Sequence, residues 1–191
     1  MVEPYRSANS VAWSTEVSYR RRMRITLRPL TAADVEAHNA GEDDQTVRWL
    51  IGVHSTIEST AGCFDQLARN ARSGSGARGF GVCLDGRLAG YAEGNPDVRD
   101  GLEPGDVNIS YAVHPWARRQ GVAVEAVRLL CDYLREHKVG ARAAIRVEPD
   151  NRASVGVAEK CGFTYARDFI SQTDKHPDGT PATMRLYLHD L

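Results

Sequence analysis

A basic loop between Pro115 and Val124 carries residue types suited to holding an anion. Arg118 and Arg119 supply positive charge, and Gly121 lets the backbone approach a ligand closely. The apolar spacing after the loop predicts a helix that begins near Gly121. The free N–H groups of a helical first turn attract phosphates and carboxylates. The loop therefore predicts a phosphate or pyrophosphate site, and an ordinary junction with solvated arginines is the alternative.

Two predicted elements flank the loop and would fix its position. Residues 107–113 alternate apolar and polar side chains, the two-residue period of a strand with one buried face. Pro115 ends this strand because proline cannot donate to a hydrogen-bonded ladder. Beyond the loop, apolar residues recur at helical spacing at Val124, Val127, Leu130, Cys131 and Leu134. The sequence thus predicts a strand, an anion-binding loop and a helix in succession.

A second strand-helix-strand unit is predicted around the segment EPDNRASVGVAEKCGF, residues 148–163. Asp150 or Asn151 can cap its helix, and Lys160 suits the negative end of the helix dipole. Gly162 allows a left-handed exit, after which a strand is expected to start. The remaining patterns complete the order strand, two helices, three strands, helix, strand, helix and two strands.

The early helices are predicted from their N-terminal signals. Thr31 with Asp34 resembles a capping box at the start of a short helix. Ser55 with Glu58 is a similar signal for a helix that extends to about Arg72.

The loop and the second unit resemble the motifs of one protein family. Arg118, Gly121 and Ala123 fit the (Gln/Arg)-x-x-Gly-x-(Gly/Ala) loop of the GNAT superfamily of acyl-CoA-dependent N-acetyltransferases. The Glu125-Ala126 pair resembles the helix of its ribosomal-protein N-terminal acetyltransferase branch. The resemblance covers roughly residues 23–191. It implies an α/β fold with a mixed, mostly antiparallel central sheet that is flanked by helices and splayed between its fourth and fifth strands.

The same resemblance implies where acetyl-CoA, as co-substrate, would bind, and it implies no metal ion. The pantetheine arm would lie in the gap between the splayed strands, at residues 107–113 and about 142–147. Backbone N–H groups would hold the thioester carbonyl, the basic loop would hold the pyrophosphate, and an asparagine would contact the pantetheine. The predicted cofactor-binding residues are Ala112, Val113, Arg118, Arg119, Gln120, Gly121, Val122, Ala123 and Asn151.

Two proton transfers need side chains. Many family members place a tyrosine where this chain has Ala158, whereas the ribosomal-protein branch resembles the serine pattern found here, so Ser154 is the candidate acid for the leaving thiolate. The alternative is a serine satisfied by a helix carbonyl. The family often has a glutamate where Asn108 stands, and asparagine cannot accept a proton. Glu93 is the preferred base for the amine, with Asp106 or a water chain as alternatives.

The acceptor amine is left open between a small molecule and a protein N-terminus. Acidic residues 42–44 beside Trp49 favour a cationic acceptor, although acidic loops are usually only solvated. Because the usual tyrosine and glutamate are both absent, the alternative function is a non-catalytic module that binds acyl-CoA. A homodimer is a further option.

Composition limits the other partners. The chain has 191 residues, a formal net charge of -1 and 26% charged residues, so neither nucleic acid nor a membrane is an expected partner. No apolar stretch approaches the roughly 20 residues of a membrane span, and no signal-peptide core is visible, so we expect a cytoplasmic location. Residues 1–22 lack periodicity and predict a flexible extension before a single domain at 23–191. The cysteines have no paired spacing, which indicates reduced thiols.

Overall fold

The computed structural model describes residues 23–176 and 178–191, so the predicted extension at residues 1–22 lies outside the described part. The elements follow the predicted order, except that a three-residue helix and a π-helical turn lie between the two helices predicted after the first strand. The strands are β1 Ile25–Arg28, β2 Arg78–Leu84, β3 Arg87–Asn95, β4 Asp106–Val113, β5 Arg142–Val147, β6 Thr164–Lys175 and β7 Pro181–Asp190. The helices are α1 Val35–Asn39, α2 Asp44–Thr46, α3 Ile57–Ser73, α4 Val122–Glu136 and α5 Arg152–Lys160. Short 3-10 turns lie at Ala32–Asp34 and Pro115–Ala117, and a π-helical turn lies at Val47–Ile51.

The described strands form a seven-stranded sheet in the order β1-β2-β3-β4-β5-β7-β6. Neighbouring strands are antiparallel except for β4 and β5, which run parallel. These two strands pair only from Asp106 with Arg142 to Asn108 with Ala144. Residues 109–113 of β4 have no register partner on β5 in the described chain. The predicted mixed sheet with a splay between its fourth and fifth strands is confirmed.

Helices cover both faces of this sheet. α4 lies on one face, where Val127, Leu130 and Leu134 are completely buried in the largest apolar cluster. α1 and α3 lie on the other face, around Phe64 and Leu67. Burying a side chain of this kind contributes about 1.5–3 kcal/mol relative to leaving it exposed. Because side chains alternate along a strand, β4 presents one face to each helical layer. Within the described ranges, no helix combines the length and apolar character needed to cross a bilayer.

The start of α3 differs by one residue from the prediction based on Ser55 and Glu58. The structure places the cap at Thr56, whose backbone N–H donates to Ser59 Oγ at 2.9 Å while Ser59 N–H donates to Thr56 Oγ1 at 3.1 Å. A serine hydroxyl at the third helical position thus does the work predicted for the glutamate carboxylate. Gly162 ends α5 with a φ of 81°, the left-handed exit that its position predicts.

Candidate active site

The candidate site lies where β4 and β5 separate. The backbone N–H of His114 donates to the Ala89 carbonyl of β3 at 2.8 Å. Alternation along the strand therefore turns the N–H groups of Tyr111 and Val113 to the opposite edge of β4, toward the gap. The same alternation turns the N–H of Ala112 toward β3. The backbone direction of Val113 fits the predicted contact with the thioester carbonyl, and the cofactor contact of Ala112 stays a prediction.

The loop before α4 presents backbone donors to open space. Gly121 is the N-cap of α4 with a φ of 82°, and in the described chain no side chain caps this helix. The first helical bond runs from the Glu125 N–H to the Gly121 carbonyl at 3.1 Å, which leaves the N–H groups of residues 121–124 without a helical acceptor. A Cβ built on Gly121 would meet no atom within 4 Å. This arrangement fits an anion, and the pyrophosphate contacts predicted for residues 119–123 stay a prediction.

Arg118 is held in an ion pair that its loop motif did not predict. Its Nη1 lies 2.6 Å from Asp43 Oδ2, and its Nη2 lies 2.7 Å from Asp43 Oδ1. Its Nε donates to the Val113 carbonyl at 2.9 Å. Hydrogen bonds from Arg118 hold the pKa of Asp43 well below its usual range. Arg118 therefore ties the α2 turn to the open end of β4, and its charge is already compensated by a carboxylate. A phosphate contact by Arg118 stays a prediction.

Ser154 lies across the gap from β4. Its Oγ is 2.8 Å from the hydroxyl of Tyr111, so its partner is a tyrosine rather than a helix carbonyl. Its backbone N–H donates to Asn151 Oδ1 at 3.1 Å. That bond commits the asparagine oxygen to the helix cap and leaves the amide Nδ2 for the predicted pantetheine contact. Burial raises the pKa of Tyr111, so its hydroxyl stays protonated at neutral pH. Whether Ser154 acts as the acid stays a prediction.

The two carboxylates considered as bases differ in access. Asp106 is 2% exposed, and it accepts hydrogen bonds from Arg142 Nε at 2.7 Å, Arg142 Nη2 at 3.1 Å and Glu103 N–H at 3.0 Å. A carboxylate enclosed in this way at the paired end of β4 has no path to an amine, which argues against Asp106. Glu93 lies on β3 and accepts a hydrogen bond from the Tyr91 hydroxyl. Its role as base stays a prediction.

A cavity of about 280 Å³ lies on the face of the sheet that carries α1 and α3. Ala112 and Tyr91 contribute to its wall from the sheet, and the Cys63 side of α3 lines it from above. Leu50 and Ile51 of the π-helical turn provide apolar surface. The N–H of Val113 points in the plane of the sheet toward the gap, whereas the neighbouring Ala112 side chain points out of that plane into the cavity. A thioester in the gap and an acceptor in the cavity could therefore meet at one strand.

Two histidines also line this cavity, the buried His114 and the partly buried His38. Burial, helped by the neighbouring His38 and two arginines, lowers the pKa of His114 to about 4. Its ring lies so close to Gly41 that any Cβ there would collide with it. His38 packs edge-on against Phe64, with ring centroids 5.3 Å apart, and burial lowers its pKa as well. Both imidazoles are therefore neutral at pH 7.

Tyr111 and Tyr91 are polar contributors that the sequence analysis did not identify. The alternation of residues 107–113 assigned Tyr111 only to the buried face of its strand. A buried tyrosine hydroxyl nevertheless needs a hydrogen-bond partner. Because Tyr111 lies beside the predicted gap, the need of its hydroxyl for a partner could have identified it from the sequence.

The fold and the site define a class: α/β proteins that open a parallel strand pair beside an uncapped helix N-terminus. Residues 24–164 match the family model described as Acetyltransferase (GNAT) domain. The chain therefore belongs to the GNAT acetyltransferase family, which confirms the resemblance drawn from its motifs. Comparison with curated proteins finds no match.

Solved structures with the same fold include acetyltransferases that hold coenzyme A or acetyl-CoA. RimL, a ribosomal alpha-N-protein acetyltransferase in complex with coenzyme A, has a TM-score of 0.73 and 19% identity, over 87% of this chain and 94% of its own. Mycobacterium smegmatis RimJ, in complex with CoA-disulfide, has a TM-score of 0.73 and 22% identity, over 87% and 81%. MccE, a microcin self-immunity acetyltransferase in complex with acetyl-CoA and AMP, has a TM-score of 0.70 and 17% identity, over 87% and 92%.

Proposed function

We propose that this chain transfers the acetyl group of acetyl-CoA to the α-amine of an acceptor, by direct attack within a ternary complex. The carrying observation is the open half of β4, which offers the Val113 N–H to the gap and the Ala112 side chain to the cavity. The donor would thereby reach β4 in the plane of the sheet, and the acceptor would reach it from one face. Family membership supports acetyl-CoA as co-substrate.

The chain would bind the donor through backbone groups. The N–H groups of residues 121–124 would receive the pyrophosphate, since they lack helical acceptors and face open space. The N–H of Val113 would donate to the thioester oxygen, which gains negative charge as the carbonyl carbon becomes tetrahedral. Removing a donor of this oxyanion-hole type typically costs about 100-fold to 1,000-fold in turnover.

Two side chains would move protons at the reacting atoms. Glu93, directly or through the Tyr91 hydroxyl that donates to it, would take a proton from the amine. The neutral amine would then form a C–N bond at the thioester carbon while the C–S bond breaks. Ser154, positioned by its contact with the Tyr111 hydroxyl, would give its proton to the departing sulfur and would take a proton back from solvent after coenzyme A leaves. The products are an amide and free coenzyme A.

An α-amine is favoured over a lysine-like amine by the cost of deprotonation. At pH 7 an amine of pKa about 10.4 costs roughly 4.6 kcal/mol to neutralise, whereas an α-amine near 7.7 costs about 1 kcal/mol. This chain has Asn108 where the family often has a glutamate, so at that position it lacks a carboxylate that could deprotonate a lysine-like amine. One neighbour fits this class, because it modifies the N-terminal serine of a ribosomal protein. Both a protein N-terminus and a small α-amine fit the proposal.

The donor site is tested by thermal unfolding with and without acetyl-CoA. Acetyl-CoA should raise the melting temperature of the wild type, and Gly121→Glu should abolish that shift by placing bulk and negative charge where the phosphates would lie. Gly86→Glu is the matched control, because Gly86 also has a positive φ of 87° and open space at its Cβ position. A shift that survives in Gly121→Glu would move the donor site elsewhere.

Catalysis is tested by thiol release from acetyl-CoA across a panel of α-amines, lysine-like amines and short peptides. Release that depends on the amine supports transfer. A protein that binds acetyl-CoA and releases no thiol with any amine would instead be the non-catalytic acyl-CoA-binding module.

A further inference from the structure

One carboxylate lines the acceptor cavity, and it accepts a single hydrogen bond from the described chain. Glu42 lies in the loop after α1, and its side chain is only 5% exposed. Its Oε2 accepts the backbone N–H of Ser55 at 2.8 Å. Its Oε1 has no hydrogen bond in the described chain, and its nearest charged or titratable neighbour there is His38 Nε2 at 3.8 Å. A buried carboxylate with one conventional donor is costly unless a cation joins it.

No lysine or arginine of the described chain forms an ion pair with Glu42. Burial lowers the pKa of His38, and His114 titrates only near pH 4, so both remain neutral. His54 lies 3.9 Å from the second oxygen, but its side chain is 60% exposed to solvent. Within residues 23–176 and 178–191, no lysine or arginine lines the cavity. The nearby Arg118 is already paired with Asp43.

The other acidic residues of this loop serve different purposes. Asp43 forms an ion pair with Arg118 and also accepts a hydrogen bond from the Thr46 N–H at 3.0 Å. Asp44 is exposed to solvent and does not line the cavity. The structure thus separates three consecutive carboxylates into an anchor for an arginine, a solvated charge and a single cavity-facing group, Glu42.

The opposite wall of the cavity is apolar. Leu50 and Ile51 project from the π-helical turn, and Phe64 closes the α3 side. About 280 Å³ holds an amino group with one compact side chain, since a water molecule takes about 30 Å³ in the liquid.

We infer that Glu42 binds the ammonium group of the acceptor, and that the acceptor is a primary α-amine whose adjoining side chain is compact and apolar. This inference rests on the proposed function and names the substrate class of the same site. Glu42 holds the amine by charge, and the Leu50–Ile51 wall selects the side chain. Proton removal stays with Glu93, so Glu42 determines affinity rather than chemistry.

The test compares L-leucinamide, L-serinamide and 4-methylpentanamide, the analogue of leucinamide that lacks its amine. Binding to the protein saturated with coenzyme A is followed by NMR titration, which needs no turnover. We expect leucinamide to bind about tenfold more tightly than serinamide because of its buried carbons. The desamino analogue should bind about 10-fold to 100-fold more weakly than leucinamide, as expected for losing a hydrogen bond to a charged group.

Glu42→Gln is the decisive variant, because glutamine keeps the size of the side chain and the bond from the Ser55 N–H. It should weaken leucinamide binding about 10-fold to 100-fold and leave binding of the desamino analogue unchanged. In turnover, KM for the amine should rise by a similar factor while kcat changes less than about threefold. Asp44→Asn, a neighbouring carboxylate outside the cavity, should behave as wild type.

The outcomes separate this inference from the proposed function. An unchanged melting-temperature shift with acetyl-CoA in Glu42→Gln shows that the fold and the donor site survive. Equal leucinamide binding by wild type and Glu42→Gln, or no binding by wild type, overturns the ammonium site. Charge-dependent amine binding without thiol release retains the ammonium site and overturns the transferase instead.

Discussion

The two halves of β4 form one continuous strand with opposite properties. Residues 106–108 pair with β5 and hold the ion pair between the buried Asp106 and the partly exposed Arg142. Residues 109–113 leave β5, direct free N–H groups into a gap and place the Tyr111 hydroxyl against Ser154. Unpaired backbone groups are costly inside a protein, so they persist only where the surroundings hold the strand in place. We expect the closed half to hold β4 in place and thereby to stabilise the unpaired open half.

The largest effect should come from breaking the closed half. Arg142→Met keeps the apolar stem of the side chain but leaves Asp106 buried with only the Glu103 N–H as partner. Because the Arg142 side chain is 36% exposed, solvent screens part of the pair, and we expect the free energy of unfolding to fall by about 2–3 kcal/mol in urea titrations. Arg135→Met removes an exposed ion pair with Asp132 and should cost less than about 1 kcal/mol. A similar small loss in Arg142→Met would show that the closed half does not support the strand.

The next effect should come from the open half through Glu93. If Glu93 removes the amine proton, Glu93→Gln should lower turnover of a high-pKa amine by about 100-fold or more at neutral pH. The loss should shrink as the pH rises toward the amine pKa, because the neutral amine then forms unaided. Glu36→Gln on the exposed side of α1 is the control. Equal losses at all pH values and for all amines would remove Glu93 as the base.

Ser154→Ala should have a smaller effect that does not depend on the amine. The thiolate that leaves has a parent pKa near 8.5, so help from an acid is modest, and we expect turnover to fall about 10-fold to 100-fold for every acceptor. The free energy of unfolding should fall by about 1–2 kcal/mol, because the Tyr111 hydroxyl loses Ser154 Oγ as its partner while the Asn151 cap keeps the backbone N–H that alanine retains. Full activity in Ser154→Ala would return this serine to a structural role.

The smallest effect is expected where Arg118 ties Asp43 to the open end of β4. Because its folded-state pKa is lowered, Asp43 contributes stability above the unfolded pKa of about 3.9 and loses that contribution as the pH falls through its folded value. Both side chains are about 30% exposed, so Asp43→Asn should cost about 1 kcal/mol at pH 7 and progressively less below pH 4. Asp44→Asn removes an exposed carboxylate and should change the free energy of unfolding by less than about 0.5 kcal/mol. Equal costs at pH 7 and pH 3 would contradict the ion pair.

The sequence predicted best those structural features that depend on residues close together in the chain. The strand before the loop, the start of α4 near Gly121 and the glycine exit of α5 all follow from short patterns, and the structure agrees with them. The one-residue error at α3 arose because Thr56 with Ser59 and Ser55 with Glu58 are equally good local signals until the chain turns toward Asn39, whose Oδ1 accepts from Thr60 Oγ1 at 2.6 Å.

Contacts between distant residues explain what sequence could not predict. Arg118 reaches Asp43 across 75 positions, and Tyr111 reaches Ser154 across 43. Each residue has several chemically acceptable partners, and only the packed sheet selects among them. The same limit applies to Glu42, which cannot be distinguished from its acidic neighbours until α1, α3 and β3 close the cavity around it.

The π-helical turn at Val47–Ile51 allows the wall of the proposed acceptor cavity to change through a change in chain length. In this turn the Gly52 N–H donates to the Val47 carbonyl at 2.7 Å, so the hydrogen bond spans one residue more than in an α-helix. Deleting one codon here would restore α-helical winding and rotate Leu50 and Ile51 by about 100°. Such a deletion leaves every strand of the sheet unaltered. Evolution can thus alter which amines fit by a change of length in one exposed turn, without replacing any group that handles the donor.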